Sequence, residues 1–254
     1  IFSALAFHPH RLRAVSREVL GSIAQGDKGP LVRSLSNRYR LKSQLIMKKI
    51  DTAAEISAAL KVLREGGIIL YPTDTIWGLG CDATNPEAVK RIYEIKHRSD
   101  SKSLVLLAND MDMVARYIKQ IPDIAIDLVE VNDKPMTIVY PGAICTEAPK
   151  EGEKAVSDRY HLAYNTVAED GSVGIRIPLM DFCKDLIFKF GRPIVSTSAN
   201  ISGEPSPQTF EDIPEEIRSA VDYIVNPSLE VGSTGLASQI IKLEVDGQVK
   251  IIRP

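Results

Sequence analysis

The run Tyr71-Pro72-Thr73-Asp74-Thr75-Ile76-Trp77-Gly78-Leu79-Gly80 follows at once on Gly67-Ile68-Ile69-Leu70, a short apolar segment that reads as a buried strand. Pro72 has no N–H to give to a ladder, so strand pairing is expected to stop there. The two hydroxyls and the carboxylate that come next then stand at the carboxyl edge of a sheet, where open α/β folds bind ligands. Thr73-Asp74-Thr75 can equally satisfy its own backbone in a turn, and the segment alone leaves the two readings level.

Outward from this point the chain alternates between helical and strand periods. Upstream, Thr52 and Glu55 have the spacing of a capping box, Ile56, Leu60 and Leu63 share one helical face, and Gly66 supplies a stop. Downstream, Asn85 and Pro86 open a second helix with Val89 and Ile92 facing inward and Lys96 in its last turn. Strand-like runs follow at 103–108, 136–140, 173–177, 193–197, 223–225, 238–243 and 249–252. Between two of them Phe182, Leu186, Ile187 and Phe190 form a helical face closed by Gly191. Residues 143–166 have no clear period and read as a long surface loop. The pattern predicts an α/β (mixed α+β) fold, a single twisted sheet flanked by helices.

Composition narrows the class. A chain of 254 residues with 44% hydrophobic content can bury one large core or two modest ones. No apolar run approaches the roughly 20 residues that span a bilayer. Cys81, Cys145 and Cys183 are odd in number, widely spaced and form no Cys-x-x-Cys pair, which argues against a disulfide framework or a structural zinc site and for a reducing compartment. The net charge of −2 hides an asymmetry: residues 1–46 hold eight Lys or Arg against Glu18 and Asp27, a balance of +6, leaving −8 for the rest. That basic stretch reads as an N-terminal extension, either transit-like or an upstream artefact ahead of Met47, with the working domain over 47–254. The expected location is cytoplasmic, or organellar if the extension directs import.

The familiar nucleotide motifs are missing. Gly78-Leu79-Gly80 lacks the third glycine of a dinucleotide fingerprint, and there is no phosphate loop of the Gly-x-x-x-x-Gly-Lys-Ser/Thr type. Lys96-His97-Arg98-Ser99-Asp100-Ser101-Lys102 gathers three cations before a strand, and Arg can grip phosphate or carboxylate in a fork while Lys supplies a mobile charge. The same cluster also suits a solvated helix end. His97 reads as a surface residue, having no carboxylate partner visible in sequence. A second polar cluster, Ser196-Thr197-Ser198-Ala199-Asn200-Ile201-Ser202-Gly203, follows a buried-looking strand and offers small hydroxyl and amide groups to a ligand or to local turns.

Taken in order, Tyr-Pro-Thr-Asp-Thr with Gly-Leu-Gly, Lys96-x-Arg98, Pro135-x-Thr137, Ile175-Arg176-Ile177-Pro178 and Thr197-Ser198-Ala199-Asn200-x-Ser202-Gly203 resemble the YrdC-like family of threonylcarbamoyl-AMP synthases over residues 50–254. The resemblance implies a short, single-domain form: a twisted, mostly parallel sheet around a deep electropositive cavity. It implies a nucleotidyltransferase that joins L-threonine, bicarbonate and ATP to give threonylcarbamoyl-adenylate and pyrophosphate for the t6A37 modification of tRNA, with partner enzymes using the product. By motif, Thr75, Arg176 and Ser198 would bind threonine. Arg98 and Lys102 would meet the ATP phosphates with Lys96 adding positive potential, Lys96 and Arg98 being the catalytic pair. Ser172, Asn200, Ser238 and Arg253 would help hold the nucleotide. Mg²⁺ would arrive with ATP, since no protein-built metal cage is visible.

The chain departs from the family pattern in places. Val131-Asn132-Asp133-Lys134-Pro135-Met136-Thr137 matches only the end of the usual Trp-Pro-Gly-Pro-x-Thr, Leu107 stands where many relatives have His, and Gln239 replaces a Thr after Ser238. The alternative from another class is a double-stranded-RNA or tRNA-binding module of the same fold. The acidic core and the lack of a basic stripe interleaved with aromatics argue against it. A related carbamoyl-transfer enzyme with another acceptor is the third reading.

Overall fold

A helix over residues 52–64, α1, turns Ile56, Leu60 and Leu63 inward along one face, and Gly66, at φ 79°, lets the chain reverse where a side chain would be strained. The computed structural model describes residues 52–98 and 104–254. The basic stretch 1–46 and Lys102 lie outside the described residues. Ala54–Pro254 form one compact unit.

The reversal feeds β1 (Ile69–Tyr71), whose three residues are all buried. The chain passes through Pro72 to Trp77 and returns as β2 (Gly78–Gly80), antiparallel to β1 in the register Ile69↔Gly80, Leu70↔Leu79 and Tyr71↔Gly78. The Gly-Leu-Gly run is therefore a strand and not a phosphate turn. A Cβ on Gly80 would stand 2.6 Å from Cε1 of Tyr71, so glycine leaves room for the tyrosine ring that lies across β2. Helix α2 (Pro86–Ile95) starts on Asn85, whose side chain accepts from the N–H groups of Glu87 and Ala88, and buries Val89, Ile92 and Tyr93.

After β3 (Val105–Leu107) come two short helices, α3 (Met111–Ala115) and α4 (Asp123–Val131), then β4 (Met136–Tyr140) and β5 (Val173–Arg176). Helix α5 (Asp181–Phe190) buries Phe182, Leu186, Ile187 and Phe190, the face its spacing predicts. The rest is β6 (Ile194–Val195), β7 (Thr197–Ser198), α6 (Glu215–Ala220), β8 (Tyr223–Ile224), β9 (Gln239–Leu243) and β10 (Val249–Arg253). The segment 143–166 is anchored at its C-terminal end: Leu162, Ala163 and Thr166 are fully buried, and Ala163 N–H donates to Ala83 O. It covers the start of α2, where Tyr93 Oη donates to Asn165 O and Asn165 Nδ2 donates to Pro86 O.

The mixed α/β class is as the sequence predicts, but the strands form two sheets, β7-β2-β1-β8 and β10-β9-β4-β5-β3-β6. Among the described residues five of the eight strand pairings are antiparallel, so the expectation of one mostly parallel sheet is corrected. The parallel pairs are β1 with β8, β3 with β5 and β4 with β9. The cause lies in the connections. Alternating helices and strands suggest repeated crossovers, yet the β1–β2 link is a short turn and the irregular segment 143–166 falls between β4 and β5, which pair antiparallel.

Candidate functional site

Three arginines and six hydroxyl residues line one cavity of about 290 Å³. The hydroxyls are Thr75, Ser196, Thr197, Ser198, Ser206 and Ser238, the guanidiniums belong to Arg98, Arg176 and Arg253, and among the described residues the lining includes no carboxylate. Both sheets contribute. Thr75 leaves β1 and Ser198 ends β7, while Arg176 closes β5 and Ser238 enters β9. Ladder register sets the β5 wall: Leu107 and Thr137 are the Cα partners of Arg176 on its two sides.

The Thr-Asp-Thr motif is ordered by its own hydroxyls and by a distant cation. Thr73 Oγ1 lies 2.8 Å from Thr75 Oγ1, receives the N–H of Thr75 at 3.1 Å and donates to Ile76 O at 2.7 Å. Asp74 forms a buried ion pair with Arg176 Nη1, and its other oxygen accepts the N–H of Leu179 at 2.9 Å. Arg176 Nη2 then reaches Thr75 Oγ1 at 3.2 Å. Asp74 and Arg176 are each 4% exposed, so this pair is almost wholly withdrawn from water. From the strap between β8 and β9, Ser233 Oγ donates to Thr75 O at 2.6 Å, joined by Gly235 N–H at 2.8 Å. The turn reading of the motif holds at Thr73, and Thr75 lines the cavity.

Of the residues singled out in the sequence, Thr75, Arg98, Arg176, Ser198, Ser238 and Arg253 meet at this cavity. Ser238 Oγ is 2.7 Å from Thr137 Oγ1, and its carbonyl accepts from Arg253 Nε at 2.8 Å, which ties β9, β4 and β10 together at the rim. The Arg98 guanidinium stands over the Tyr93 ring at 5.9 Å.

Three of the residues named in the sequence, Ser172, Asn200 and Lys96, are not among those that line the cavity. Ser172 is at the far end of β5, about 13 Å from Arg176 at ~3.3 Å per strand residue, where Asp170 takes both its N–H and its hydroxyl proton. Asn200 is 7% exposed, and its amide is spent inside the protein: Nδ2 donates to Ile201 O and Glu204 O, and Oδ1 accepts from Lys96. Lys96 is 2% exposed and stands behind the cavity wall, its Nζ donating to the carbonyls of Ser198 and Asn200 as well as to Asn200 Oδ1. Burial, with Arg98 nearby, pulls the Lys96 ammonium down to about 8. Sequence reasoning stopped short of Asp74, left between turn and site, because its partner is 102 residues away. His97 is exposed as expected, but it does have a carboxylate partner, Glu216, at 3.0 Å.

A two-sheet α/β protein whose cavity presents guanidiniums and hydroxyls from both sheets suits a small, anionic, oxygen-rich ligand. The chain belongs to the Sua5/YciO/YrdC family, described as "Telomere recombination", whose model matches residues 61–254. It is 32% identical over 177 residues to the threonylcarbamoyl-AMP synthase of Pseudoalteromonas translucida, covering 68% of this chain and 86% of that one. To the threonylcarbamoyl-AMP synthase of Bacillus subtilis it is 31% identical over 198 residues, 78% of this chain and 52% of the other. The fold matches P. abyssi Sua5 complexed with L-threonine at a TM-score of 0.60 and 30% identity, covering 74% of this chain and 50% of that one. The chain thus spans about half the length of the last two proteins.

Proposed function

We propose that this protein is a threonylcarbamoyl-AMP synthase. The observation that carries the reading is the pairing, in one cavity, of a buried Arg176–Thr75 wall with the separate guanidiniums of Arg98 and Arg253. The first suits the carboxylate and hydroxyl of L-threonine, and the second suits a polyphosphate. Family membership and the threonine-bound relative supply the substrate class.

Bicarbonate and the amine of threonine give a carbamate and water. A carbamate oxygen then forms a bond to the α-phosphorus of ATP as the bond to pyrophosphate breaks. Negative charge builds on the phosphoryl oxygens and the leaving group, so fixed guanidiniums can supply the stabilisation without a covalent enzyme intermediate. Among the described residues the cavity lining offers hydroxyls and no carboxylate, which fits a Mg²⁺ held by nucleotide oxygens and water. Such an ion would neutralise phosphate charge. The adenylate would pass to the threonylcarbamoyl-transferring machinery that makes t6A37 in tRNA. No helix among the described residues is long and apolar enough to cross a membrane, and we place the reaction in the cytoplasm or, if residues 1–46 direct import, in an organelle.

The test is pyrophosphate release by the full chain with magnesium supplied. Release is expected only when ATP, L-threonine and bicarbonate are all present. Threonine-independent release, or none with all three, would overturn the assignment.

A further inference from the structure

The Arg176 guanidinium is held from two sides by residues of the turn after β1. Arginine on a strand end has several rotatable bonds, and a fork that must meet a planar carboxylate loses its value if it swings. Here Asp74 grips Nη1 from one side and Thr75 Oγ1 lies against Nη2 on the other. Asp74 is fixed in turn, because its second oxygen accepts the N–H of Leu179, three residues beyond Arg176 on the same chain segment. Asp74 belongs to the turn after β1 and Arg176 to β5 of the other sheet, so the ion pair also sets the distance between the two walls. The pair is formally neutral, and the lining also holds the guanidiniums of Arg98 and Arg253.

We propose that Asp74 is a positioning residue for amino-acid selection: through Arg176 it presents the remaining guanidinium N–H groups to the carboxylate of the amino-acid substrate, without touching that substrate. The inference rests on the proposed function and deepens it. A buried ion pair is weak evidence of a stability role, since its desolvation cost can cancel its attraction. Selection explains the geometry better. A site built to hydrogen-bond one group discriminates strongly against an analogue that lacks it.

The experiment compares binding of L-threonine and of L-threoninol, the analogue with CH₂OH in place of the carboxylate, to the full chain by calorimetry, with an ATP analogue as control. The wild type is expected to prefer threonine, and folded Asp74→Asn to lose on the order of 10-fold of that preference. Threoninol and nucleotide affinities should stay within about 2-fold, because neither ligand uses the Asp74-held fork. An unchanged preference in folded Asp74→Asn overturns the proposal. If Asp74→Asn does not fold, Asp74→Glu carries the test: it keeps the charge and displaces the fork, so the preference should again fall, and a preference equal to wild type overturns the role. If wild-type protein binds threonine no better than threoninol, the carboxylate assignment of Arg176 fails first, separately from the part played by Asp74.

Discussion

Lys96 shows how a charged side chain can serve a cavity from behind its wall. Its ammonium bridges the carbonyls of Ser198, at the end of β7, and Asn200, in the loop that follows, and no carboxylate among the described residues pairs with it. Lys96→Met leaves those buried oxygens without their donor and should cost about 2 to 3 kcal/mol of stability, read as the shift of a urea midpoint. The depressed pKa adds a pH signature. Below about 8 both folded and unfolded chains carry the proton, and the desolvation cost of the buried charge is fully present. Between about 8 and the ordinary value of 10.5 the unfolded chain binds the proton and the folded chain does not, so the lysine's contribution rises with pH across that window. Wild type should therefore gain stability relative to Lys96→Met as pH climbs from 8 to 10.5. A difference between the two that is flat across the window would rule out the buried charged lysine.

At the scale of elements, β2 is the instructive case. Two glycines in three residues give no strand propensity, and Pro72 with Thr-Asp-Thr before them reads as a turn, so periodicity cannot find this strand. Its partner makes it a strand: Tyr71 lies across it and needs the space a Cβ would fill. Gly80→Ala would put a methyl 2.6 Å from Tyr71 Cε1 and 3.2 Å from Ile194 Cγ2, with little slack because β1 and β2 are both fully buried. We expect a loss of about 1 to 3 kcal/mol in chemical denaturation. Tyr71→Leu in the same chain should restore part of that loss; full additivity of the two substitutions would show that the ring is not the obstacle. Helices α2 and α5, by contrast, are legible residue by residue, because an amphipathic face and a capping residue are local facts. Short helices such as α3 and α6 were missed because five or six residues hold too little of a helical period to be seen.

At the scale of the whole molecule, the cavity exists only where strand ends from two sheets converge, and that convergence limits what sequence can say about it. Position after a strand marks Thr75 and Ser198, a cation cluster before a strand marks Arg98, and the family resemblance alone marks Arg176, Ser238 and Arg253; all six line it. Direction along the strand is lost: Ser172 immediately precedes β5 and Arg176 ends it, yet only the second is at the cavity end. Side-chain aim is lost as well, as Asn200 shows by turning its amide into its own loop.

Two walls that converge on ligands should also be held together by them. A ligand that binds only the folded chain stabilises it by about 2.7 kcal/mol at 100 times its dissociation constant, and a domain of this size gains roughly 2 to 4 °C per kcal/mol. L-Threonine and a nonhydrolysable ATP analogue, each at that excess, should each raise the thermal midpoint by roughly 5 to 10 °C. The guanidiniums divide the two effects. Arg98 follows α2, whereas the Asp74–Arg176–Thr75 wall is built from the turn after β1 and the end of β5, so Arg98→Ala should abolish most of the nucleotide-induced shift and leave the threonine-induced shift within about 2 °C of wild type. If Arg98→Ala erases both shifts equally while the unliganded midpoint is preserved, the cavity acts as one undivided anion site, and the assignment of separate walls to amino acid and polyphosphate fails.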